Sequence, residues 1–299
     1  MRSVQKHISV MLHEVLDFFP TTLVSHDKNL IQALDVTAGG GGHLSALMQA
    51  APHWSFEAWD QDLEAESRIR SRVAELGAPF VFRLKNFRVA PSPDQRFGFV
   101  LADLGVSSFQ LDDNERGLSL HSTVRPDFRL QKQGDFDLER WIKTRSVLDL
   151  ESILSEFGEE PRAAKLARAM KNAPSSVFES TQALAEWIKH TLGYKTPSRI
   201  HPATRTLQAL RIAINDEMGA LRDFLDWAPR HLVRGGRLAV ISFHSLEDRL
   251  VKDAFRKVVS RERSEFQILT KKPLTPGPGE LSANPRSRSA KLRVIERIQ

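Results

Sequence analysis

Asp35, Asp60 and Asp103 each stand at the end of a short apolar run: Ile31–Val36, Phe56–Trp59 and Phe97–Ala102. If those runs are neighbouring strands, three carboxyl groups line one edge of a sheet, the edge where open α/β sheets bind ligands. An acid there can accept both hydrogen bonds of a ribose diol, the role that suits Asp60. Aspartate is also a common turn and cap residue at strand ends. The reading as a site therefore depends on the elements that position the three acids.

The first run leads into Gly39-Gly-Gly-Gly42, and a helical pattern follows at once through His43, Leu44, Leu47 and Met48 to a stop near Pro52. Strand, glycine turn and helix open a nucleotide-type site, because glycines let a ligand approach the backbone and a helix start offers unpaired N–H groups. The spacing narrows the ligand. The dinucleotide fingerprint needs a third glycine where this chain has Leu44 or Ser45, and no Lys-Ser/Thr follows to make a phosphate loop. A nucleoside-like ligand without a pyrophosphate remains, such as S-adenosylmethionine. Asp60 would serve an NAD enzyme equally well, so it marks an adenosine ligand and not a methyl donor.

The first third alternates strands (34–37, 56–59, 80–83, 97–102) with helices (43–50 and 63–76), which argues for a parallel sheet. From about 112 to 215 the pattern turns helical: 136–142 behind Asp135, 147–157, 162–171, 181–192 behind Ser180, and 203–218 after His201-Pro202. Leu207, Leu210, Ile214 and Leu221 form the apolar stripe of the last. The α/β pattern returns with a Gly235-Gly236 turn, a strand over 237–242, a helix over 246–258 and a final strand over 292–298. This organisation predicts an α/β core of residues 1–111 and 216–299, interrupted by an inserted helical domain, 112–215.

The 299 residues suit such a core, and 41% hydrophobic content is ordinary for a soluble protein. No apolar run approaches the roughly eighteen residues of a membrane span. The N-terminal stretch, with Lys6, His7 and His13, does not read as a signal peptide. With no cysteine there is no disulfide, thiolate metal site or thiol nucleophile, which is compatible with a cytoplasmic location. A net charge of +6 favours a polyanionic partner. Arg162, Lys165, Arg168 and Lys171 form a drifting stripe suited to RNA or to solvent alone. Arg286, Arg288, Lys291 and Arg293 fall in a stretch that reads as an extended loop, where phosphate contacts are easier to build. Phe109, near Asp103, could stack on a base. His244, Ser245, Glu247 and Asp248 invite a hydrolase or metal reading. Without G-x-S-x-G or HExxH a structural or capping role fits them better.

Several separated blocks together resemble one known family: His7-Ile-Ser-Val-Met-Leu-His-Glu14, the 35–43 loop, Asp103-Leu-Gly-Val-Ser-Ser-Phe-Gln-Leu-Asp-Asp-Asn-Glu-Arg-Gly117, Gly158-Glu-Glu160, His201-Pro-Ala-Thr-Arg-Thr-Leu-Gln-Ala-Leu-Arg-Ile212, Gly235–Arg249 and Asn284–Arg293. Nearly the whole chain resembles the RsmH (MraW) family of bacterial 16S rRNA cytosine-N4 methyltransferases. The resemblance implies a class I (Rossmann-like) methyltransferase core with an inserted all-helical, substrate-recognising domain. It also implies S-adenosyl-L-methionine as methyl donor and a decoding-centre cytidine as acceptor. The family's donor-binding positions fall on Gly41, Gly42, His43, Asp60, Phe87, Asp103 and Gln110, and Asp103 is the candidate catalytic residue. The partners expected are 16S rRNA and the small ribosomal subunit, with a homodimer left open and no membrane or metal. Gly40 replaces the family's usual arginine, Pro161-Arg-Ala replaces its usual Arg-Phe-Ala, and Arg125–Lys132 departs from its usual acceptor-side segment. The altered Pro126–Lys132 segment motivates a non-catalytic RNA-binding or assembly factor as an alternative, and a methyltransferase with a shifted RNA target is another.

Overall fold

The computed structural model describes residues 8–23, 32–77, 79–131, 134–194, 201–261 and 265–299. Lys6, His7, Ile31 and Lys132, singled out above, lie outside them. The chain divides into two compact units, Met1–Gly105 with Met218–Gln299, and Val106–Glu217.

The first unit opens with α1 (Leu12–Phe18), β1 (Gln32–Asp35), α2 (Gly42–Ala50), β2 (Ser55–Asp60), α3 (Ala65–Val73), β3 (Phe80–Leu84) and β4 (Phe97–Asp103). The second unit holds α4 (Ser108–Asp112), α5 (Leu138–Lys143), α6 (Val147–Glu156), α7 (Ala163–Lys171), α8 (Thr181–Leu192) and α9 (Ala203–Asn215). The chain then continues through α10 (Glu217–Trp227), β5 (Leu232–Ser242), α11 (Ser245–Arg261), β6 (Phe266–Ile268), α12 (Pro278–Ala283) and β7 (Lys291–Arg297). None of the described helices is long and apolar enough to cross a membrane.

The strands form one seven-stranded sheet in the order β3-β2-β1-β4-β5-β7-β6. β1 pairs in parallel with β2 and β4, β4 with β5, and β2 with β3, while β7 runs antiparallel between β5 and β6. This is the Rossmann-like α/β core that the alternation implies. Its strand order reverses between β1 and β4, which opens a ligand crevice at their carboxyl ends. β4 is buried from Phe97 through Ala102, as a central strand covered on both faces must be. α2 buries His43, Leu44, Leu47 and Met48, and α3 buries Ala65, Ile69 and Val73 at a spacing of four. The helical unit has a core of its own, built from Phe128, Ile142, Leu154, Leu166, Phe178, Ile188, Leu210 and their neighbours.

The structure differs from the expected elements in several places. The helix expected over 203–218 breaks at Asp216, whose φ of 48° takes the backbone into the left-handed region. Leu221 therefore belongs to α10. The N-cap of α5 is Asp137, which accepts the Arg140 N–H, and not Asp135. Gly235 and Gly236 lie within β5, where a Cβ on Gly236 would meet the Val233 carbonyl at 2.8 Å and the Phe97 carbonyl at 2.9 Å. The stretch expected as a loop carries α12 and a 3₁₀ turn over Pro285–Ser289, and β6 had no sequence signal. The second unit begins at Val106 and ends at Glu217, not at 112 and 215. Ser107 caps α4, and Glu217 turns back to pair with Arg211 on α9 at 2.8 Å.

Phe99 is fully buried on β4 and packs edge-to-face on Phe19 with centroids 5.2 Å apart; Phe19 in turn meets Trp54 at 4.7 Å. Removing a buried aromatic ring leaves a cavity that costs about 3–5 kcal/mol. Phe99→Ala is expected to lower the free energy of unfolding by that much in urea titrations read from tryptophan fluorescence.

Candidate active site

The three acids lie at the carboxyl ends of adjacent strands. Asp35 on β1 pairs across from Leu101, two residues short of Asp103 on β4, and across from Ala58, two short of Asp60 on β2. Thr37 ties the first two strand ends together. Its N–H donates to Asp35 at 3.1 Å, and its hydroxyl accepts the Asp103 N–H at 2.6 Å. Asp60 anchors the glycine loop to β2, accepting the Gly39 N–H at 2.7 Å on one oxygen and the Asp62 N–H at 2.8 Å on the other. Each carboxylate oxygen keeps a second lone pair, so the ribose role expected of Asp60 survives beside this structural one.

The glycines are required partly by the protein itself. Gly41 has φ +73°, and a Cβ on it would press Ile69 at 3.2 Å. A Cβ on Gly42 would stand 2.0 Å from the Ser9 hydroxyl oxygen. The N-terminal segment thus fills the space that Gly42 leaves, and any ligand's share of the loop is confined to its backbone. The same segment holds His43, whose Nε2 lies 2.9 Å from the Val10 carbonyl and whose Nδ1 lies 3.7 Å from Asp103 Oδ2. Asp103 Oδ1 is buried without a hydrogen-bond partner among the described residues.

Burial is the main reason these acids hold protons tightly. The Asp35 carboxyl is pushed up to about 7 by burial and then by Asp60, against its bonds to Thr37. Asp103 is raised well above the usual carboxylate range by burial, then by Asp35, Glu247 and Glu280. Burial also raises Asp60, offset by its bonds to Asp62 and Gly39 and by Arg68. Among the described residues no lysine or arginine pairs with Asp35 or Asp103, and a ligand that supplies a positive charge fits such a site.

Phe87 follows β3 in a segment held against the end of β2: the Lys85 N–H donates to the Asp60 carbonyl at 2.8 Å, and Asn86 Nδ2 to Gln61 at 3.0 Å. Trp227 Nε1 donates to the Phe87 carbonyl at 2.9 Å, and the Phe87 ring packs edge-on to Phe224 at 5.6 Å. Gln110 lies in the second unit, on α4. Its side-chain oxygen accepts the Ser107 N–H at 3.0 Å in a capping box, leaving its amide N–H groups for a ligand. Phe109 also lies on α4.

Other expectations resolve structurally. Glu247 accepts the Phe243 N–H at 2.7 Å and the His244 N–H at 3.3 Å, capping the start of α11 as expected. Lys291 and Arg293 lie in β7 and not in the expected loop, and both pair with Asp248, at 3.1 and 2.7 Å. Arg162, the N-cap residue of α7, stacks over the Tyr194 ring at 4.4 Å and Lys171 bonds the Lys143 and Arg145 carbonyls, while Arg162, Lys165 and Arg168 are all exposed. Sequence reasoning did not single out Thr37, Ser9 or Val10. The signal for Ser9 and Val10 is the N-terminal block itself, which runs into α1 and the core through Met11.

An acid whose folded-state proton affinity is raised makes the folded protein bind more protons than the unfolded chain, so stability falls as pH rises through that interval. Asp35 therefore makes the ligand-free protein lose stability between about pH 4 and pH 7. Asp35→Asn is expected to flatten that slope in urea titrations across this range.

A profile of the MraW methylase family matches residues 4–298. The ribosomal RNA small subunit methyltransferase H of Cyanothece sp. (strain PCC 7425 / ATCC 29141) is 43% identical over 266 residues, 89% of this chain and 87% of its own. The protein of that name from Nostoc sp. (strain PCC 7120 / SAG 25.82 / UTEX 2576) is 42% identical over 292 residues, 97% of this chain and 92% of its own. Among solved structures, an rRNA methylase from Streptococcus thermophilus covers 98% of this chain and 99% of its own at 13% identity and a TM-score of 0.42. The chain belongs to the MraW methylase family, whose methyl donor is S-adenosylmethionine.

Proposed function

We propose that the chain methylates the exocyclic N4 of a specific cytidine in the decoding centre of 16S rRNA, within the small ribosomal subunit. The observation that carries this reading is the unpartnered, buried Asp103 oxygen at the end of β4, beside Asp35 and one strand from Asp60. The relatives' shared name supports an rRNA substrate. In this reading Gly41, Gly42 and His43, with Asp60, Phe87, Asp103 and Gln110, hold S-adenosylmethionine. The helical unit recognises RNA, with Lys165 and Arg168 available to phosphates.

The bound donor supplies a methyl group on a positively charged sulfur. Strand-end acids suit that charge: burial that costs a lone carboxylate is offset when a cation arrives. Asp60 accepts from the ribose hydroxyls, and Phe87 offers a ring face to adenine. The cytosine amine is a weak nucleophile because its lone pair is drawn into the ring. Holding it in line is worth up to roughly 7–11 kcal/mol. Asp103 grips the amine through Oδ1, orients the lone pair as conjugation is lost, and stabilises the charge that develops on nitrogen. An RNA base must leave its stack to reach this edge.

Purified protein with labelled donor and under-methylated small subunits tests the reading by nucleoside analysis. Labelled N4-methylcytidine at the decoding centre is the expected result. Label at another site indicates a shifted target, and RNA binding without label indicates the non-catalytic factor that the Pro126–Lys132 segment motivates. Asp103→Ala is expected to lower transfer about 100-fold or more with unchanged circular dichroism.

The raised acids give a second expectation. A cation binds best once they are ionised, so calorimetry should find donor affinity rising with pH toward about 7 and the neutral demethylated product nearly indifferent.

A further inference from the structure

Resting on that reading, we propose that the segment between β6 and β7 is a docking surface for the sugar-phosphate chain of the RNA, and that Lys271, Lys272 and Arg288 receive the phosphates next to the target cytidine.

The sheet register sets the place. Asp103 lies across from Ile241 on β5, and Ile241 lies across from Leu292 on β7. β7 therefore starts level with Asp103, two strand spacings or about 10 Å away. The chain leading into β7 is seated at the same edge. Glu280 on α12 faces Asp103 and accepts the Met11 N–H at 2.8 Å, and Asn284 Nδ2 donates to the Ile8 carbonyl at 3.3 Å. The far end of the segment is tied to β7 as well. The Thr270 hydroxyl accepts the Val294 N–H at 2.8 Å, and the Leu274 N–H donates to the Leu292 carbonyl at 3.0 Å. Lys271 and Lys272 sit in the bend between those two ties.

From Lys271 to Ala290 the chain carries four basic residues and one acid, Glu280, which the Met11 N–H already occupies. All four cations are exposed, whereas Lys291 and Arg293 just beyond are held by Asp248. Among the described residues no carboxylate pairs with Lys271, Lys272 or Arg288. Prolines at 273, 276, 278 and 285 restrict the backbone, so little freedom remains to be lost on docking. The partner follows from the chemistry of the edge. A base cannot reach Asp103 without its sugar and phosphates, and the acids there, Asp35, Asp103, Glu247 and Glu280, repel phosphate. Exposed cations flanking β7 offset that repulsion. A guanidinium fork and two ammonium groups fit phosphate oxygens, so the surface positions the strand and does not read its sequence.

Binding to under-methylated small subunits, and to 16S rRNA stripped of protein, tests the surface across a salt series. Each lost phosphate contact lowers the slope of log affinity against log salt by roughly 0.7–0.9. Neutralising all three cations (Lys271→Gln, Lys272→Gln, Arg288→Gln) should lower it by about 2 and weaken binding of both probes about 10- to 100-fold. Donor affinity, read by calorimetry, should be retained. The charge-conserving exchange (Lys271→Arg, Lys272→Arg, Arg288→Lys) should restore slope and affinity together. As a control, Arg256, Lys257 and Arg261 are neutralised; they are exposed on α11 roughly 16–24 Å from its start at this edge, and their loss should leave the slope unchanged. An unchanged slope in the first variant, or an equal fall in the control, overturns the surface alone. So does a fall confined to intact subunits, which makes the occupant a ribosomal protein. A wild type that leaves cytidine unlabelled overturns the proposed reaction, and the surface with it, whatever the slopes show.

Discussion

Asp35 and Asp103 stand on adjacent parallel strands with Thr37 between them, its N–H on one and its hydroxyl under the backbone of the other. The arrangement sets a buried and a half-buried carboxyl side by side with no lysine or arginine paired to either among the described residues, and each therefore keeps its proton well beyond the ordinary range. A sheet edge built this way is unsettled until a positive charge arrives. That constraint joins the strand register, the low polarity of the crevice and the preference for a cationic ligand in one account.

The N-terminal segment is part of the same machinery. Ser9 occupies the room Gly42 leaves, Val10 fixes the His43 ring, and the Met11 N–H donates to Glu280 at 2.8 Å, one of the acids facing Asp103. Met11 adopts φ 53°, a conformation that costs a non-glycine residue energy. It is held there by complete burial and by that bond. A segment that touches the glycine loop, the histidine and an acid-bearing helix sets the shape of the crevice from behind.

Much of this was legible in the chain. Fully buried strands read as apolar runs, and their carboxyl ends are where Asp35, Asp60 and Asp103 fall, so period and residue type alone gave the sheet edge. The Ser180 cap was likewise local and correctly placed. Distant partners were not legible. Lys291 and Arg293 look like free cations until Asp248 is brought beside them from α11. Asp216 looks like an ordinary helical residue until the chain must turn for Glu217 to reach Arg211. Gly42 reads as small for a ligand's sake alone until Ser9 arrives from more than thirty positions away. Asp135 and Asp137 are equally good caps by type, and only backbone geometry chose the second. β6 is three residues long and pairs with β7 alone at the sheet's edge, too short for any alternation to show.

The sheet order has a consequence for how the molecule is made. β4, the most apolar strand, has β1 on one side and β5 on the other, and the whole helical unit is translated between β4 and β5. On the ribosome the half-built sheet therefore presents Phe97–Asp103 with one flank unzipped while the helical unit emerges. An open, hydrophobic strand edge is a template for wrong pairing. Prompt collapse of the helical unit on its own core, before its flanking strands meet, would shorten that interval of exposure.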